Sequence, residues 1–402
     1  MKTRLLLAAT LTLTLALAAP PNTHADDFPA TGQTTSYHPG DDGAVRVGAP
    51  LSFEDNEDGT VTDGNTGLTW EKLSMDGSIH DVRNVYTWGQ AFDVHVATLN
   101  STHFAGHHNW RVPNVKELES IVNYGAVDPA VSAAFNTGCV AGCKVRNCSC
   151  TADSSTELAV GVQSVYWSST TDASAPAEKA FPGNAWGVLF RDGFVGANVK
   201  ENDYFVRAVR GFGDDELPAT GQTTLFHAGD DGAIQAGAPL QFEDNGDGTI
   251  TDENTGLMWE KKSADGSIHD QDNAYNWLQA FDVHVATLNS THFAGHHDWR
   301  VPNVRELESI VNYGKFDPAV SPAFNTNCTP GCTVLTCSCT AVGGPDPERG
   351  FLYWSSTTDA GSPFGAWGVN FQLGFVRPEA KDLPNNQFVR AVRGDSDDDA
   401  QR

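Results

Sequence analysis

The chain has 402 residues, with 25 Lys and Arg against 51 Asp and Glu, a formal net charge of -26. Hydrophobic residues at 40% suffice for a real core, which argues against wholesale disorder. The charge argues against nucleic acid, whose binders need a basic face to displace counterions, and disfavours anionic membrane surfaces and sulfated polyanions.

Lys2 and Arg4 precede an apolar run from Leu5 to Ala18, and Thr23-His24-Ala25 offers small residues at the cleavage positions. This is the pattern of a secretory signal peptide over residues 1–25. A membrane anchor fails on length, since about 14 apolar residues fall short of the ~20 that a spanning helix needs. No Cys follows the run, so a lipoprotein anchor is disfavoured, and no later stretch suggests a membrane span. Cleavage after Ala25 removes two positive charges and takes the charge from -26 to -28. The expectation is an exported bacterial protein, secreted, periplasmic or at the cell surface. Its eight Cys should then be oxidised.

The remainder is one unit written twice. Trp70, Trp88 and Trp110 return as Trp259, Trp277 and Trp299, and Cys139, Cys143, Cys148 and Cys150 return as Cys328, Cys332, Cys337 and Cys339. The units span 28–213 and 217–396, joined by Asp214-Asp215-Glu216 and followed by an acidic tail, 397–402. Each is long enough for its own core, which predicts two autonomous domains in tandem.

Within a unit, Leu51-Ser52-Phe53 and Thr60-Val61-Thr62 flank Asp55-Asn56-Glu57-Asp58-Gly59, a hairpin pattern. A strand is predicted at Leu68-Thr69-Trp70. Thr87 opens a helix with Gln90 completing a capping box, and Trp88, Ala91, Phe92, His95 and Leu99 supply one face at helical spacing. A second helix starts at Asn114 with Glu117 as its box partner, and Gly125 is its predicted stop. Short strands follow at Val165–Trp167, Ala185–Phe190 and Tyr204–Arg210. Two helices before a late β-meander make an α+β fold.

The ordered motifs Asp244–Thr249, Thr255-Gly256-Leu257-Met258-Trp259, Asp298-Trp299-Arg300-Val301-Pro302, Glu306-Leu307-Glu308, Tyr353-Trp354-Ser355-Ser356-Thr357 and Val389–Arg393 carry a resemblance. In both units the chain resembles the domain of unknown function 1566 family, also called the Lcl C-terminal-like domain. That resemblance implies two tandem C-type-lectin-like domains, each with two helices and short antiparallel strands. It also implies an adhesin-like role, but the family's sulfated-polysaccharide ligand does not transfer to a chain this acidic. Such folds present their binding surface near the late strands. The copies diverge there, which makes Trp186, Arg191, Asp192 and Asn198 the candidate ligand residues, with Trp367, Asn370, Gln372 and Arg377 in the second copy.

Other constellations compete. The C-x3-C-x4-C-x-C sets predict two disulfides per unit with open connectivity, a four-thiolate zinc site being the alternative. Asp55, Asn56 and Asp58, repeated as Asp244, Asn245 and Asp247, suit either a calcium loop or a plain turn. His103, His107 and His108, repeated as His292, His296 and His297, offer metal ligands or surface histidines. Arg207 and Arg210 suggest ion pairs, and Trp167 and Trp354 core. No nucleophile elbow or zincin motif occurs. The resulting expectation is a non-enzymatic recognition protein for a glycan or protein ligand, without cofactor unless calcium. Its rivals are a secreted metal-assisted hydrolase using the His cluster and a structural envelope protein without ligand.

Overall fold

The computed structural model describes residues 28–152, 164–174, 183–213, 217–343, 352–382 and 386–394. The expected signal peptide, linker and acidic tail lie outside them. No helix among the described residues is long and apolar enough to cross a membrane.

Each half opens with an arm. In the first, Asp41 caps α1 (Asp42–Val45) by accepting from Ala44 N, while its other oxygen takes the amides of Tyr37 and His38. The hairpin follows as predicted: β1 (Phe53–Asp55) and β2 (Thr60–Asp63), then β3 (Thr69–Glu71). Thr87 and Gln90 form their capping box ahead of α2 (Trp88–Gln90). The run then departs from the regular α-helix that the spacing predicts. Ala91–Val96 form a π-helix before α3 (Ala97–Ser101). Asn114 and Glu117 cap α4 (Val115–Ser120), which ends before the predicted stop at Gly125.

The late strands are β4 (Val165–Thr171), β5 (Asn184–Leu189), β6 (Phe194–Val199) and β7 (Val209–Arg210). Only the end of the predicted Tyr204–Arg210 strand is a regular ladder; Tyr204 and Phe205 make single bridges to Tyr86 and Tyr166. The second half repeats the order: α5 (Asp231–Ile234), β8 (Phe242–Asp244), β9 (Thr249–Asp252), β10 (Met258–Glu260), α6 (Trp277–Gln279), a π-helix at Ala280–Val285, α7 (Ala286–Ser290) and α8 (Val304–Ser309). It ends with β11 (Tyr353–Thr358), β12 (Gly365–Val369), β13 (Val376–Ala380) and β14 (Val392–Arg393).

The fold is therefore α+β, but the halves are not separate bodies. Each has its own four-stranded sheet, β1-β2-β3-β7 and β14-β10-β9-β8. The remaining strands form one six-stranded sheet, β11-β12-β13-β6-β5-β4, joined where Val195 pairs with Val376. One core cluster contains residues of both copies, whereas a second cluster lies within each half. This corrects the expectation of autonomous domains: apolar strand faces that an isolated unit would expose are covered by the other copy.

The helices α4 and α8 also meet across this boundary. Lys116 Nζ donates to Ser309 O at 2.9 Å, at the end of α8. Its counterpart Arg305 donates to Ser120 O at 2.9 Å and to Val122 O, at the end of α4. Each cation thus meets carbonyls that have no partner inside their own helix.

The arms are exchanged. Asp42 Oδ2 accepts from Thr357 Oγ1 of the other half at 2.7 Å, and Gln33 both donates to and accepts from the Thr358 backbone. Asp231 and Gln222 make the same contacts to Thr170 and Thr171 of the first half. The arm turns too tightly for a side chain at Gly43, where a Cβ would come within 2.0 Å of Thr35 O. Gly43→Ala should therefore unseat the first arm, lowering stability by about 1–3 kcal/mol. Limited proteolysis read by mass spectrometry should show faster cleavage within residues 28–50, and unchanged cleavage would contradict this.

Candidate functional site

A cleft of about 470 Å³ opens where the second arm crosses the helix of the first half. Phe92, Asp93 and Val96 from the π-helix form one wall, with Asn100 just beyond. Trp110 and Arg111 contribute the floor, Phe212 one rim, and His227 and Ile234 of the arm the opposite wall. Two half-buried stacks fix this geometry. The His227 ring lies on Phe92 at 4.5 Å and 27°, with Nε2 3.4 Å from Asp93 Oδ2. Arg111 is held by both oxygens of Glu117 and by Gly211 O, and its guanidinium lies 5.7 Å from the Phe212 ring. In the second half, His38 likewise meets Phe281 at 4.5 Å and Asp282 at 3.3 Å.

Lys200 secures the arm beside this cleft. Its ammonium lies 3.6 Å from the Trp88 ring centroid and 5.3 Å from that of Phe226, and donates to Thr171 Oγ1 at 2.8 Å. Burial pulls Lys200 down to about 8. Lys381 repeats the arrangement over Trp277 and Tyr37, also pulled down to about 8 by burial.

The π-helix positions the inner side chains as well. Asp93 and Val94 are exposed, while His95 turns inward onto Glu71. The Glu71 carboxylate is fully buried and takes His80 Nδ1 at 2.7 Å, His95 Nε2 at 2.8 Å and Ala208 N at 3.0 Å. Burial alone would raise this acid; the imidazoles of His95 and His80 outweigh it and hold the carboxyl well below the usual range. Glu260 repeats this with His269, His284 and Ala391, and adds Lys262 at 3.2 Å, where the first copy has Leu73. These are sealed clamps fixing the helix to β3 and β10. They were missed in the sequence because their partners are 9 and 24 residues apart and share no local motif.

The predicted ligand residues do not converge. Trp186 is 1% exposed and packs on Tyr313 and Phe375 of the other half, and Trp367 packs on Tyr124. These rings join the halves and present no open face. Arg191 pairs with Asp192, which also accepts from Phe194 N, and Asn198 bonds back to Gly196 O. Asn370 is buried in a turn, taking the amides of Gln372 and Leu373, and Arg377 lies 3.5 Å from Glu379.

The oxygen-rich turns are self-satisfied. Asp55 accepts from Lys72 Nζ at 2.6 Å and from Glu57 N, Asp58 takes the amide and hydroxyl of Thr60, and Asn56 reaches Thr60 and Thr62. Asp244, Asn245 and Asp247 repeat these bonds, with Lys261 on Asp244. These oxygens are taken up by donors of the hairpin itself and by one lysine in each copy, so a plain turn accounts for the composition. His103 and His108 lie 5.9 Å apart between ring centroids, as do His292 and His297. Among the described residues, the metal-capable side chains that converge in threes are cysteines. His108 instead lines the cleft. Arg207, expected in an ion pair, is fully buried and donates to the Glu71 and Cys150 carbonyls and to Thr151. Trp167 and Trp354 are core.

The eight cysteines form four disulfides: Cys139–Cys150, Cys143–Cys148, Cys328–Cys339 and Cys332–Cys337. The connectivity left open by sequence is thus nested, with the inner bridge inside the outer.

Fold and cleft define a duplicated α+β domain whose two copies exchange arms and share a sheet. The family model of the Lcl C-terminal domain matches residues 59–210 and 248–393, and the chain belongs to that family. Both matches begin beyond the arms, so the exchanged segments lie outside the matched stretches. No curated protein matches the chain.

Proposed function

We propose that the chain is an exported, non-enzymatic recognition protein whose ligand, a neutral glycan, lies in the cleft between arm and helix. The cleft itself carries this reading. Its size suits a small oligosaccharide, the half-exposed Phe212 ring on its rim offers a face for a sugar ring, and Asp93, Asn109 and His108 offer hydroxyl partners. A net charge of -26 accords with a neutral rather than a sulfated ligand. The N-terminal pattern supports export, and the pairing of β3 with β7 and of β10 with β14 supports a C-type-lectin-like fold in each half.

A glycan array probed with the full chain, followed by calorimetry, tests this. Phe212 is half exposed on the rim, so Phe212→Ala should weaken a glycan hit about tenfold, the stacking worth on the order of 1 kcal/mol, with the fold intact. Unchanged affinity in that variant would remove the ligand from this cleft.

A further inference from the structure

We propose that each cysteine loop, once its two bridges are reduced, is a site for one Zn²⁺ ion. The two bridges of a loop lie against each other. Cys143 Sγ is 3.9 Å from Cys150 Sγ, across the two bridges. In the second half, Cys332 Sγ and Cys337 Sγ are each 3.8 Å from Cys339 Sγ. The sulfurs of Cys143, Cys148 and Cys150 all fall within 4.8 Å of one another, and Cys139, the fourth, is bonded to Cys150. A tetrahedral thiolate centre with Zn–S of about 2.3 Å has its sulfurs about 3.8 Å apart. The Cys143–Cys150 contact therefore already has the length of one of that tetrahedron's edges; the bonded pairs must part, and Cys139, which is not among the three sulfurs that lie mutually within 4.8 Å, must close on the others.

Backbone hydrogen bonds hold the loop without help from the bridges. Met75 N donates to Cys143 O, Gly142 N to Met75 O, and Cys150 N to Leu73 O. Thr137 and Ser149 exchange both their amide bonds, and Arg207 donates to Cys150 O. The second loop keeps the same set through Ala264, Lys262, Thr326, Ser338 and Arg390. The C-x3-C-x4-C-x-C spacing lacks paired C-x-x-C motifs, yet the turn reverses the chain and brings the sulfurs together in space.

Chemistry makes the site conditional. Each bridge takes two electrons and two protons from a dithiol reductant, which leaves as its own disulfide. The four thiols then release four protons to water as one Zn²⁺ binds, leaving a dianionic centre. The bridged loop offers no thiolate, so binding is gated by redox state. Lys144 and Arg146 lie between Cys143 and Cys148, whereas the second loop has Thr333 and Leu335 there. The extra cations favour the dianion in the first loop.

The full chain, reduced anaerobically and titrated with Co²⁺, tests the proposal. One Co²⁺ per loop is expected, with thiolate-to-cobalt charge transfer and tetrahedral ligand-field bands, both lost on adding Zn²⁺. The oxidised chain should take up none. Cys148→Ser should abolish those bands for one loop only, and the first loop should resist a competing chelator about tenfold better than the second. A reduced chain that keeps its circular dichroism yet binds no Co²⁺ through sulfur would overturn the proposal. So would a reduced chain that unfolds, because the backbone bonds are required to hold the loop.

Discussion

Trp186→Ala is expected to lower the unfolding free energy by about 3–5 kcal/mol and to loosen the two halves from one another. The indole is 1% exposed and its neighbours are Tyr313 at 5.0 Å and Phe375 at 5.3 Å, both in the other copy. Deleting it leaves a void in the shared core beside the single strand pairing that joins the six-stranded sheet. The measurement is a urea titration, together with size exclusion of a chain carrying a protease site in place of residues 214–216. The nicked parent should elute as one particle, held by the exchanged arms, the β6–β13 pairing and the helix contacts. The nicked variant should separate into halves. Trp167→Ala provides the contrast, because that ring belongs to the core cluster of the first half. It should cost a similar amount with little separation. Co-elution of the nicked Trp186→Ala halves, or a loss below about 1 kcal/mol, would count against the shared core.

This shared core marks where sequence reasoning stopped. Local signals were legible: both capping boxes, the Asp-Gly hairpin and the α+β composition follow from residues within a few positions of each other. The duplication was legible too, since the Trp and Cys positions repeat in register. Its consequence was not. A repeated sequence says nothing about whether Asp42 bonds to Thr170 of its own copy or to Thr357 of the other, because both copies offer the same hydroxyl. Trp186 illustrates the cost. An aromatic on a divergent late strand is compatible with a ligand platform or with a subunit contact, and only the fold distinguishes them. The π-helix was hidden for another reason, since the same apolar residues satisfy an α-helical period. The cleft residue His227 did leave a trace, as the arm repeats His38 ahead of its Gly-Asp-Asp turn.

Asp231→Asn should make the protein more stable at pH 8 and flatten its dependence on pH. In the parent, burial pushes Asp231 up to about 7, Asp42 up to about 6 and Glu119 up to about 7. An acid raised on folding binds its proton more tightly in the native state. Its contribution is therefore most favourable below the unfolded value and is lost as pH climbs through the folded one. Between about pH 4.5 and 6.5 these three groups lower stability as pH rises, on the scale of about 1.4 kcal/mol for each tenfold gain in proton affinity on folding. Opposing groups act mostly elsewhere. Glu71 and Glu260 are held low, so their effect falls at more acid pH. Burial pulls Lys116 down to about 7, so its cost grows as pH falls from the lysine range towards 7 and is constant below. Among the described residues, His284, lowered chiefly by burial, is the one such group acting within the window, and it offsets part of the slope. The Asn carbonyl can still accept from Thr170 and Thr220 Oγ1, as Asp231 Oδ2 does, while the amide replaces an oxygen that has no partner among the described residues. Urea titrations at pH 4.5, 6 and 8 should show the variant matching the parent at the lowest pH and exceeding it by a few kcal/mol at the highest. Parallel curves for the two proteins would mean that Asp231 is ionised in its arm contact throughout, and that the arms are held with a full buried charge.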